Sequence, residues 1–182
     1  MTRLNADIIL KISKIVFFKN QYIKSTRYLI LFYLLYFMKY WLAAGTHANS
    51  QVAINKKIWG VQKKFVKSLK RVEIGDILII FSRQEKGVPS AITAIFEIIS
   101  LPYIDERQIF KSHSIYFTEI YPLRIKLKLM NIFNKPIEFK SMVPFLNFIS
   151  NKKYWSCHFR GRAITEIPEH DYQKIVEMNS LL

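Results

Sequence analysis

Trp59 followed by Gly60 is the pair of residues with the most chemistry to offer in this chain of 182 residues. An indole presents a flat face to a planar ligand, and a glycine beside it, having no Cβ, lets that ligand approach the backbone. The chain carries 28 Lys and Arg against 13 Asp and Glu, a formal net charge of +15, and in so basic a protein the natural planar partner is a nucleobase. The same dipeptide also describes a core tryptophan beside a turn glycine. The elements around it have to decide.

The residues that commonly carry catalysis show no such organisation. Four histidines, His47, His113, His158 and His170, lack metal-ligand spacing and fall in none of the usual metallohydrolase or deaminase signatures. Cys157 and His158 are adjacent, which on a strand sends them to opposite faces and argues against a nucleophile–base pair. Ser82 has no nucleophile-elbow context, and Asp105, Glu106 and Glu119 are scattered through loops. A single cysteine excludes a disulfide framework and any multi-cysteine metal site, and it suits a cytoplasmic protein. Five glycines form no phosphate-cradling loop. No metal or cofactor is implied, and an enzyme would reveal itself by His158, or by Lys and Glu side chains, converging on Trp59.

The elements that must position these residues divide the chain in two. Residues 1–37 carry Arg3, Lys11, Lys14, Lys19, Lys24, Arg27 and one acid, Asp7, and end in the apolar run Tyr28–Phe37. Ten residues fall short of the roughly 20 that cross a bilayer. The segment reads as an extension ahead of a natural start at Met38, with a membrane anchor as the alternative. Taking its six basic residues and one acid from the totals leaves 22 and 12, so the remainder keeps a net +10. From Met38 the pattern is a single α+β domain. Tyr40–Ala44 reads as a strand, Gly45–Ser50 as a polar loop, and Gly60–Leu69 as a helix with Val61, Phe65 and Leu69 on one face. Ile77–Phe81 and Ala91–Ile99 read as buried strands joined by a hairpin loop, and Pro102–Lys111 as a connector with one helical turn. Leu123–Leu129 alternates strictly, placing Arg124, Lys126 and Lys128 on one face, either as a solvated surface or as a phosphate-tracking stripe. A helix over Ser141–Ile149, a strand over Tyr154–Arg160, the basic turn Arg160-Gly161-Arg162, an extended Ala163–Ile167 and a closing helix after Pro168, with Tyr172 and Ile175 facing inward, complete the domain.

The ordered set Lys39-Tyr-Trp-Leu, Ile58-Trp-Gly-Val, Ile74-Gly-Asp-Ile-Leu-Ile-Ile-Phe, Ala91-Ile-Thr-Ala-Ile-Phe-Glu-Ile-Ile-Ser, Tyr121-Pro-Leu-Arg-Ile-Lys and Glu166-Ile-Pro-Glu-His-Asp-Tyr resembles the EVE domains of the PUA-like superfamily, the small prokaryotic single-domain type. The resemblance spans 38–182 and implies a mixed β-barrel or pseudo-barrel flanked by helices. It also implies a non-catalytic module that binds RNA or modified DNA through one flipped or single-stranded base held in an aromatic cage, as in the related YTH domains. On that resemblance Trp59 is the cage tryptophan with Gly60 and Val61 beside it, Thr46, His47 and Asn49 fall in the loop that reads the base edge, and Phe81, Tyr103 or Trp155 supplies the opposite wall. A second cage tryptophan of the YTH type has no counterpart. The neighbouring ASCH branch, with RNA-processing members, is the enzymatic alternative.

Stacking on one aromatic side chain returns about 1–3 kcal/mol, against a few kcal/mol to unstack the base. Selectivity must then come from edge hydrogen bonds and affinity from phosphate contacts. Arg160 and Arg162 are the first candidates for those contacts, followed by Lys63, Lys64 and Lys67.

Overall fold

Apolar side chains occupy nearly every position of Ile77–Ser82 and Ala91–Ile98, as expected of strands covered on both faces. In the computed structural model, which describes residues 38–85, 87–112, 120–133 and 135–180, these segments are the adjacent antiparallel strands β3 and β4. Around them lie β1 (Tyr40–Gly45), β2 (Ile58–Val61), β5 (Tyr103–Ile104), β6 (Leu123–Ile132) and β7 (Ile164–Ile167). The sheet order is β2-β6-β4-β3-β1-β7, with β5 also on β6. Among the described strands only the pair β1 and β3 runs parallel. Arg124 has Gly60 of β2 as partner on one edge of β6 and Tyr103 of β5 on the other. Four α-helices are described: α1 (His47–Lys56), α2 (Val66–Leu69), α3 (Phe139–Met142) and α4 (Glu169–Ser180).

Two irregularities curl this sheet. The register of β3 on β4 slips at Ile80/Phe81, leaving Thr93 as the extra residue, and that of β4 on β6 slips at Ile95/Phe96, leaving Met130. Each bulge bends its strand and increases the local twist, and the sheet rolls into a half-barrel. One face buries Trp41, Leu78, Ile80, Phe96, Ile98, Ile125 and Leu127 together with Trp59. The opposite face carries Phe81, which meets Phe139 and Phe159 at ring distances of 4.5 and 4.8 Å. The closing helix buries Ile175 as anticipated, and Tyr172 stacks on Tyr40 at 4.4 Å.

Five local readings of the sequence change. Gly45–Ser50 is not a loop, because Thr46 caps α1: its Oγ1 accepts from the Asn49 N–H at 3.2 Å and its carbonyl accepts from Ser50 at 2.9 Å. Gly60–Leu69 is not one helix. Ile58–Val61 pairs with β6, and only then does the chain turn through a 3₁₀ segment, Lys63–Phe65, into the single turn of α2. The connector 102–111 contains β5 rather than a helical turn. Tyr154–Arg160 is a 3₁₀ helix over Trp155–Phe159, not a strand, since Trp155 and Phe159 both turn toward Phe81. The opposite-faces argument for Cys157 and His158 therefore loses its premise; Cys157 is exposed, and His158 Nε2 accepts from the Asn151 N–H at 3.3 Å. The helix anticipated over Ser141–Ile149 starts earlier, at Phe139, and gives way to a 3₁₀ turn at Val143–Phe145.

The described residues from Lys39 onward belong to one compact unit, and the extension with its apolar run lies outside the described residues. Among the described residues no helix is long and apolar enough to cross a membrane.

The start of β1 is fastened to the turn before β3 by one buried carboxylate. Asp76 accepts from Trp41 Nε1 at 2.7 Å, from the Lys39 N–H at 3.0 Å and from the Glu73 N–H at 2.9 Å. Hydrogen bonds to a buried charged group contribute about 1.5–3 kcal/mol each, and orphaned donors cost more than the bond returned. Asp76→Ala is expected to lower the unfolding free energy by about 3 kcal/mol or more, read as a drop in the urea midpoint with unchanged m-value.

Candidate functional site

β1 and β3 end together at Gly45 and Ser82, β7 begins beside them, and α1 starts immediately after β1. A cavity of about 230 Å³ opens at this end of the sheet. Its lining includes Gly45, Thr46 and Asn49 from the β1–α1 junction, Trp59, Gly60 and Val61 from β2, and Phe110 and Tyr121 from the long connection into β6. Lys64, Arg83, Gly161 and Arg162 also line it. Five of the anticipated base-site residues thus meet in one place: Trp59, Gly60, Val61, Thr46 and Asn49.

Their roles are not all those the sequence suggested. Trp59 is only 4% exposed and belongs to the core cluster, so it is a buried wall rather than an open indole face. Its ring lies against Gly45, where a Cβ would come within 2.8 Å of it. Its Nε1 is buried and has no hydrogen-bond partner among the described residues. Gly60 makes room for Phe110: a Cβ there would sit 2.5 Å from the phenyl ring. Asn49 reads the chain's own backbone, its Nδ2 donating to the Lys111 carbonyl at 3.0 Å and its Oδ1 accepting from the Lys111 N–H at 2.7 Å. That pair of bonds ties the residue after Phe110 to α1.

The anticipated opposite wall is elsewhere. Phe81 and Trp155 do not line this cavity, and Tyr103 sits in β5 beneath Lys126, whose Nζ is 6.0 Å from its ring. The wall is Phe110, edge-on to Trp59 at 6.3 Å, backed by Tyr121 at 5.7 Å. Nothing in the apolar pattern of the connector singled out Phe110; the one legible hint was that Gly60 had to accommodate something. His47 is half-buried outside the lining, and its N–H donates to Glu85 Oε2 at 3.3 Å.

What holds Phe110 in place is Arg124. The alternation placed this residue on a polar face, but its side chain is 1% exposed, because the connector folds over it. Its Nε donates to the Tyr121 carbonyl at 3.1 Å, its Nη2 donates to the Arg107 carbonyl, and its Nη1 lies 2.6 Å from Asp105 Oδ2 as a charge contact rather than an aligned hydrogen bond. The guanidinium also sits 5.9 Å from the Phe110 ring centroid. Lys126 and Lys128 do face solvent, the latter paired with Glu97.

The cations around the cavity mouth differ in availability. Lys63 is not in the lining and pairs with Glu106 at 3.3 Å. Lys64, Arg83, Arg160 and Arg162 are exposed and form no ion pair with a carboxylate among the described residues. The N-terminus of α1, with no acid in its first turn, adds its partial positive charge to the same end. Three or more His, Cys, Asp and Glu side chains nowhere gather as metal ligands among the described residues.

A curled mixed half-barrel with helices packed on it is a PUA-like fold. The chain belongs to the EVE domain family, whose model matches residues 39–178. It is 42% identical over 142 residues to a UPF0310 protein of Pyrococcus abyssi, an alignment covering 76% of this chain and 97% of that one. Among solved structures, human THYN1 in complex with 5-methylcytosine-containing DNA superposes with a TM-score of 0.54 at 11% identity, over 78% of this chain and 97% of that one. The Mmi1 YTH domain in complex with RNA superposes with a TM-score of 0.50 at 13% identity, over 79% and 77%.

The clamp has an acid limit. The hydrogen bond from Arg107, aided by the nearby Arg124 charge and opposed by burial, holds the Asp105 carboxyl well below the usual carboxylate range. Because the folded-state value is depressed, its stabilisation is fully present above the unfolded value near 4 and is lost as pH falls through the folded value. Denaturant midpoints are expected to fall less steeply on acidification below about pH 4 in Asp105→Asn than in the parent chain. Equal slopes would remove Asp105 from the acid response.

Proposed function

We propose that this chain is a non-catalytic nucleic-acid-binding module that holds one flipped or single-stranded base in the cavity that Trp59 and Phe110 line. The observation that carries the reading is the combination at one end of the sheet: a small aromatic-walled slot, ringed by Lys64, Arg83 and Arg162, which pair with no carboxylate among the described residues. A slot of about 230 Å³ suits a single planar ring system. Trp59 and Phe110 are each only 4% exposed, so the base enters by displacing Phe110 from Trp59 and stacks on the ring this uncovers, where an aromatic platform contributes about 1–3 kcal/mol. Thr46, whose hydroxyl accepts from Asn49 and keeps its own proton to donate, and the backbone of Gly60 and Val61 supply groups for the base edge. Arg162, Arg83 and Lys64 supply the phosphate contacts, and Arg160 continues the basic rim.

The names of the structural neighbours agree with this reading: one is bound to 5-methylcytosine-containing DNA, another to RNA. A modified base suits the aromatic walls of this slot, because an added methyl group supplies further apolar surface to pack against them.

The test is a binding screen of the full chain against short single and double strands of DNA and RNA, with and without methylated bases, at two salt concentrations. Selective binding to one base is expected. Phe110→Ala should weaken binding to the preferred strand by about 1–3 kcal/mol. Arg162→Ala should weaken all strands alike and lower the salt slope by about one. Weak binding that salt removes and that ignores every base would overturn the proposal.

A further inference from the structure

A second cavity, of about 650 Å³, adjoins the first on the other side of the strand ends. It is lined by Phe81, Trp155, Ser156, Phe159 and Arg160, and two residues, Arg83 and Gly161, line both cavities. The basic turn therefore straddles them, with Arg162 in the first and Arg160 in the second. Gly161 between them has φ 68°, a left-handed conformation that glycine adopts without strain, and nothing lies within 4 Å of where its Cβ would be. That glycine is there for the shape of the turn and not for packing.

The aromatic wall of the second cavity is built. Trp155 is half-buried and is fixed by Phe139 at 5.4 Å, Phe159 at 6.1 Å and Phe81 at 6.4 Å. At the shared wall, Arg83 is anchored through its backbone N–H to the Gly45 carbonyl at 2.9 Å, with its Nη2 3.5 Å from the Ala44 carbonyl. Its other guanidinium N–H groups have no partner among the described residues.

Resting on the base-binding reading above, we infer that the second cavity is the subsite for the adjacent nucleotide of the same strand, with its base against Trp155 and the linking phosphate on Arg83. Consecutive nucleotides share one phosphate, so a strand with a base in the first cavity carries its next phosphate past a neighbouring wall. Arg83 is the cation at that wall, and Arg160 is placed to meet the phosphate beyond. An aromatic platform stacks on any base, so this subsite adds affinity without base identity. Because the two cavities differ, it also fixes polarity: one neighbour, 5′ or 3′, is held and the other is not.

The experiment uses the full chain and single-stranded pentathymidylates with a central 5-methylcytosine or N6-methyladenine. An abasic residue replaces the thymidine on the 5′ or the 3′ side of the modified base. In the parent chain, one abasic position is expected to weaken binding about fivefold or more and the other less than about twofold. In Trp155→Ala the difference between the two should vanish. Ser156→Asp, which alters an exposed residue lining the cavity and removes no packing, should weaken the intact strand while leaving the chain folded. If both abasic strands bind like the intact one, and Ser156→Asp has no effect, the second subsite is wrong while the first survives. A parent chain that binds neither these strands nor any DNA or RNA of the base screen overturns both.

Discussion

A guanidinium buried near the start of a strand is tolerated only where its charge and its N–H groups are met, and Arg124 meets that demand by folding the connector over itself. Asp105, the Arg107 carbonyl and the Tyr121 carbonyl converge on it from both ends of one long connection, and Phe110 lies against it. A hydrophobic residue could fill the same volume, but it would give the connector no reason to return to one position. Asn49 fastens the same segment from the other side through the backbone of Lys111. The aromatic wall of the cavity is therefore held by polar groups, although the cavity itself is largely apolar.

Close approach does the rest. Gly45 lets the Trp59 ring lie against β1, and Gly60 lets Phe110 lie against β2. Neither position has room for a Cβ without movement of an aromatic ring, so the spacing of the cavity's walls is set by two missing methyl groups. The bulges at Thr93 and Met130 curl the sheet, and the parallel pairing of β1 and β3 brings Gly45 and Arg83 to the same end. The positive charge then gathers where the strands stop: Lys64, Arg83, Arg160 and Arg162 have no acidic partner there among the described residues, whereas Lys63, Lys128 and Arg107 are each paired with an acid. Net charge alone did not distinguish these two groups of cations.

The long apolar strands and the closing helix were legible because their patterns are strong: Ile77–Ser82 and Ala91–Ile98 report burial directly, as do Ile125 and Leu127 in β6. The ordered motifs made the PUA-like fold and the family readable as well. The failures have local causes. Thr46 was an N-cap signal that the polar composition of Gly45–Ser50 concealed. The helical spacing of Val61, Phe65 and Leu69 was genuine, but pairing with β6 claimed Val61 for a strand. Arg124 looked like surface because alternation predicts which face a residue takes and says nothing of a connector that later covers that face. Phe110 could not be found at all from the sequence, since its role depends on Gly60 and Arg124, which are distant in the chain.

The central claim is that a base enters the slot walled by Trp59. The chain has three tryptophans, so its indole N–H resonances are three well-separated reporters, at Trp41, Trp59 and Trp155. Trp41 Nε1 is committed to Asp76, whereas Trp59 Nε1 has no partner among the described residues. Titrating the full chain with a short single strand carrying its preferred base should shift the Trp59 resonance progressively to saturation and leave the Trp41 resonance in place. A strand that saturates the protein while the Trp59 resonance stays fixed would contradict the account and put the nucleic acid on the basic surface alone.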